Sequence, residues 1–299
     1  RGLVGSEMCI RDRITDFLEQ SDLTVDQRVR LLHVARDNLA EVWALVDTDP
    51  DLEARYWRAF QTIGLGQDID KIDEIAEHLI QVGRHADVVL LMSMYTHIDK
   101  DGPRPQIAKL IVRALDGLLE AQTPSAAAHD LSSYDFQRLF AYLEAMREHL
   151  EPGCLVRLQW SYLPALGYDA RVPALSESLA ADPAKFVEIV CTVYRARPRG
   201  EDEEGAEDPA GEEQHDASLA TNAYRLLNAW DTPPGLVDGI MNAEVLRAWL
   251  DRAMELLAER GRIEVGLGER IGVELGHGLP SFLAERYTGN GPGGRCEPK

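Results

Sequence analysis

"IDKIDEIAEHLIQVGRHADVVLLMSMYTH", residues 69–97, decides the fold class. Ile69, Ile72, Ala76, Leu79 and Ile80 recur at three- and four-residue steps, which places them on one face of a 3.6-residue helix. Gly83 then interrupts the pattern. It can take the left-handed backbone that residues with a Cβ resist, so it marks a helix C-terminus. Ala86, Val89, Leu90 and Met94 start a second apolar stripe almost at once. Two helices joined by two or three residues must run antiparallel and bury their stripes against each other, so the stretch predicts a helical hairpin.

The same period runs outward in both directions. Thr24 and Gln27 fit a capping box at the head of a stripe of Leu32, Ala35, Leu39, Val42, Trp43 and Val46, which reads as a long or kinked helix pair. "TDPD" at 48–51 breaks it, and the next helix carries Tyr56, Trp57 and Phe60 before the loop "IGLGQD". Beyond the hairpin, "DGPRP" at 101–105 precedes a stripe of Ile107, Leu110, Ile111, Ala114, Leu115 and Leu118. After a Pro/Ser/Ala loop at 122–133 come Phe136, Leu139, Phe140, Leu143 and Met146, then Leu155, Leu158 and Tyr162. Asp182 followed by Pro183 is a helix start, since the carboxylate accepts an orphan N–H and proline needs no donor there. Phe186, Ile189, Val190 and Val193 fill the face that follows. Leu219, Ala223, Leu226, Leu227 and Trp230 give another stripe, and Asn242 caps a last one running through Leu246, Trp249, Ala253 and Leu257.

Alternating strand-like runs are scarce, so the chain is expected to be all-α. Hairpins in series suggest an irregular α-solenoid, with a compact multi-helix bundle as the alternative; no tetratricopeptide spacing is present. The expected organisation is a helical domain at 14–196, an acidic disordered linker at 197–217, a helical continuation at 218–288 and a frayed Gly/Pro-rich tail at 289–299. Residues 1–13 stand apart. "LVGSEMCIRDR", 3–13, has neither helical period nor cap and resembles a translated frame of a transposase adapter used in sequencing libraries, so 1–13 is expected to be a non-native scar.

Composition narrows the function classes. The net charge is −20 over 299 residues. Nine of the acidic groups, from Glu201 to Asp216, lie in one run without Lys or Arg; removing those nine charges still leaves −11 elsewhere. Such a surface repels the nucleic-acid backbone, and no basic patch offsets it, so no nucleic-acid partner is expected. No apolar run approaches the ~18 residues of a membrane span. Setting Cys9 aside with the scar, Cys154, Cys191 and Cys296 are far apart and odd in number, which speaks for a reducing, cytoplasmic setting.

Four stretches resemble sites and fail on chemistry. In "HIDKDG", 97–102, Asp99, Asp101 and Gly102 match a calcium loop, but His97 and Ala108 stand where oxygen ligands are needed. "GLGERIG", 266–272, lacks the buried strand and distal acid of a dinucleotide site. His78, His85 and His97 have no HExxH or CxxC spacing. The aromatic pairs Tyr56/Trp57 and Trp160/Tyr162 are expected in the core, where truncating Trp160 to alanine would cost roughly 3–5 kcal/mol. Neither a nucleophile elbow nor a phosphate-binding lysine loop occurs. No catalytic, cofactor-binding or metal-ligating residue is assigned.

"LQWSYLPAL" (158–166), "LAADPAKFVEIVCTVYR" (179–195), "ATNAYRLLNAWDTPPG" (220–235) and "ARYWRAF" with "IGLG" (54–66) resemble, in order and wording, a helical region near the C-terminus of large multidomain bacterial proteins. The resemblance covers roughly residues 50–275 and associates the chain with nucleotide-switched or defence-type systems. It carries no catalytic residue. What it implies is a fragment of a larger protein acting as a non-catalytic interaction or sensing module, partnered by other domains of its parent or by a separate protein. The competing expectation is an all-α enzyme with an acidic cleft.

Overall fold

A computed structural model describes residues 22–34, 39–62, 71–98, 102–121, 131–167, 171–195, 211–230, 232–237 and 240–263. The chain is all-α: the described residues form twelve α-helices and one short hairpin of two two-residue strands. It divides into two compact units, 1–150 and 151–299.

The first unit contains α1 (Val25–Val34), α2 (Leu39–Val46), α3 (Pro50–Ala59), α4 (Ile72–Gln81), α5 (His85–Ile98), α6 (Pro105–Glu120) and α7 (Ser133–Ala145). The expected capping box heads α1: Gln27 N–H donates to Thr24 Oγ1 at 3.3 Å and Thr24 N–H to Gln27 Oε1 at 2.9 Å. At α3, Asp49 accepts from the Asp51 and Leu52 amides, with Pro50 at the first helical position. Helix α3 points Tyr56, Trp57 and Phe60 into the core. There Trp57 lies edge-on to Tyr56 with centroids 5.3 Å apart and near Trp43 at the same distance.

The hairpin at 69–97 is present as α4 and α5. Gly83 has φ +77°, and the Arg84 amide reaches back to the Leu79 carbonyl at 2.8 Å, the six-to-one bond of a Schellman stop. Arg84 also closes a different helix end. Its Nη1 donates to the Trp57 carbonyl at 3.1 Å and to the Phe60 carbonyl, while Asp87 holds the other side of the guanidinium. A cation on the C-terminal carbonyls of α3 satisfies acceptors and complements the helix dipole.

The inner face of α5 is wider than its sequence stripe. Ala86 and Val89 are buried as expected, but Val88, Leu91, Met92 and Tyr95 are buried too, whereas Met94 is 52% exposed and Leu90 only part-buried. Helix α5 packs on α4, α6 and α7, so no single face points to solvent. One polar pair sits within this packing: Ser93 Oγ donates to Asp135 Oδ1 at 2.7 Å. Asp135 simultaneously completes a capping box with Ser132 at the head of α7.

The second unit contains α8 (Cys154–Ser161), a 3-10 turn at Leu163–Ala165, α9 (Pro173–Ala181), α10 (Pro183–Arg195), α11 (Gly211–Ala229), β1 (Leu236–Val237), β2 (Ile240–Met241) and α12 (Ala243–Ile263). The strands pair antiparallel, Leu236 opposite Met241. Phe186, Trp230 and Trp249 form its aromatic centre, with centroids 4.9–5.8 Å apart. Asn242 caps α12 as expected, accepting from the Glu244 and Val245 amides.

Helices α10 and α11, on either side of the acidic run, pack against each other within the second unit. Of the stretch expected as a linker, 197–217, residues 211–217 belong to α11. Residues 1–13, expected to be a scar, the loops expected at 63–68 and 122–130, residues 197–210, "GLGERIG" and the tail expected at 289–299 lie outside the described residues.

Two measurements check this packing. A Cβ built on Gly117 of α6 would overlap the His85 imidazole at the start of α5. Gly117→Ala should therefore forfeit its helix-propensity gain of about 1 kcal/mol in the native chain and realise it in a His85→Ala background; additive urea-unfolding energies in the four-variant cycle would contradict the close approach. The second concerns Asp135. Burial opposes its charge, but hydrogen bonds from the Ser132 hydroxyl, the Ser93 hydroxyl and the Ser132 amide, together with Arg138, outweigh that and hold its carboxyl below the ordinary range. A carboxylate with a depressed folded pKa contributes stability above its unfolded pKa of about 3.9 and loses it as pH falls through the folded value. Asp135→Asn should cost about 1 kcal/mol at pH 7, and the deficit should narrow below about pH 4. A deficit that stays constant from pH 7 down to pH 3 would show that the charge is not what Ser93 and Ser132 hold.

Candidate interaction cleft

Three helices of the second unit each turn an i, i+3 or i+4 set toward one half-open cleft of about 190 Å³. Helix α8 contributes Val156, Arg157 and Trp160, following Gly153, whose φ of +80° turns the chain into the helix. Leu175 and Leu179 come from α9, and Lys185, Glu188 and Ile189 from α10. The walls are apolar and the rim is charged.

Buried and local hydrogen bonds hold the walls in place. Gln159 of α8, fully buried, accepts the Leu175 amide at 2.8 Å and so caps the start of α9. Asp182, the sole residue between α9 and α10, accepts the Ala184 amide at 2.9 Å, and Pro183 takes the first helical position as expected. Lys185 Nζ donates to Ser178 Oγ at 2.8 Å, which places the ammonium at the seam of these two helices. Behind the cleft, Asn222 of α11 donates to the Leu163 and Leu166 carbonyls at 2.9 and 3.0 Å, and Trp230 Nε1 to the Ser176 carbonyl at 3.1 Å.

This arrangement moves Trp160 out of the core. It is part-exposed and lines the cleft, while its neighbours Leu158 and Tyr162 are buried. The expected core role holds for Tyr56, Trp57 and Tyr162. Helical spacing alone placed the ring with Leu158, yet in an eight-residue helix two positions' difference turns the side chain some 200° around the axis. Gln159 carried no sequence signal of a buried capping role, because its partner amide is sixteen residues away.

The three histidines sit apart. His78 stacks on Trp57 at 4.2 Å with a 4° interplanar angle, its Nδ1 3.5 Å from Glu53 Oε1. His85 lies against α6, and His97 is exposed. No cluster of three or more His, Cys, Asp or Glu suited to a metal occurs among the described residues. Of the calcium-like stretch, Asp99 to Asp101 lie outside the described residues. Cys154 is part-buried and Cys191 buried, neither in a disulfide with a described residue, and Cys296 lies outside the described residues. No described helix is long and apolar enough to cross a membrane.

Chemically, the cleft can remove an apolar group from water and meet a charged neighbour at its mouth. Truncating Trp160 to alanine should cost on the order of 1–2 kcal/mol, because its ring is only partly withdrawn from water. Gln159→Leu should cost about 1–3 kcal/mol by orphaning the Leu175 amide. Urea unfolding in which the Trp160 variant is the weaker of the two by several kcal/mol would contradict these placements. Comparison with known protein families, with curated proteins and with solved structures finds no match to this chain.

Proposed function

We propose that this chain is a non-catalytic α-helical interaction or sensing module, part of a larger bacterial protein, that docks another polypeptide through the cleft of its second unit. The partner is another domain of the parent protein or a separate protein. The supporting observation is the cleft itself: the part-exposed Val156 and Trp160 line it together with the buried Leu175, Leu179 and Ile189, on walls braced by Gln159 and Asp182. A site of about 190 Å³ is smaller than the ~300–1,000 Å³ typical of small-molecule pockets and suits one or two anchoring side chains.

The same proposal places the protein in the cytoplasm, from the spacing of its cysteines, and away from nucleic acid, from its net charge of −20. It also keeps the expected stacking of helical hairpins into an irregular α-solenoid, for which an elongated small-angle scattering profile is the test and a compact one the refutation.

The decisive experiment titrates a capped Gly-Gly-Phe-Gly-Gly peptide calorimetrically into the full chain. Binding is expected, and Val156→Glu, which puts a charge on the part-exposed apolar wall, should weaken it at least tenfold while the fold persists by circular dichroism. Specific turnover by the purified chain, abolished by one polar substitution, would replace the interaction reading with the enzymatic one.

A further inference from the structure

We draw no further inference here: the strongest candidate, the exposed apolar patch that Met94 and Ile98 form one turn apart at the C-terminal end of α5, carries no proposal, since nothing in the structure shows what covers it.

Discussion

Every helix leaves backbone N–H groups at its start and carbonyls at its end that its own turns cannot satisfy, and in this protein that constraint organises the packing. Its described helices are short, most between 8 and 16 residues, so their ends are numerous relative to their bodies. Several of those ends are closed from another helix rather than from their own sequence neighbours. Arg84 closes α3, Gln159 opens α9, Trp230 reaches the Ser176 carbonyl within α9, and Asn222 gathers the carbonyls of the 163–165 turn. Each such bond joins two elements at a defined angle, because an unsatisfied buried amide or carbonyl costs more than a satisfied one returns.

The aromatic clusters act with these bonds. In the first unit Trp57 touches Trp43, Tyr56, Phe60 and His78 at once, and Arg84 binds the backbone carbonyls of Trp57 and Phe60, so packing and capping meet at one helix end. In the second unit, Phe186, Trp230 and Trp249 hold α10, the end of α11 and α12 together while the Trp230 indole also fixes α9. The cleft follows from this. Gln159 ties α8 to α9, Trp230 reaches α9 as well, and residues of α8, α9 and α10 line the opening between them.

The residues facing that opening are chiefly apolar, with Arg157, Lys185 and Glu188 among them. Proton transfer needs groups brought within hydrogen-bond reach of a reacting atom, whereas capture of a side chain needs apolar area and a rigid frame. The interaction proposal rests on that contrast.

What lay in the sequence was local. The all-α class, the hairpin turning at Gly83, and the caps at Thr24, Asp182 and Asn242 depend on residues within a turn or so of each other, so the 3.6-residue period and side-chain chemistry were sufficient to read them. What depended on distant partners was decided only by the fold. The burial of α5 on several faces, the closure of α3 by Arg84, the packing of α10 on α11 and the turning of Trp160 into a cleft all require knowing which helix lies alongside which. A stripe of apolar residues states that a face will be buried, but not against what, because the hydrophobic effect carries no direction. Hydrogen bonds between helices supply that direction, and their partners here lie as far as 59 residues apart along the chain.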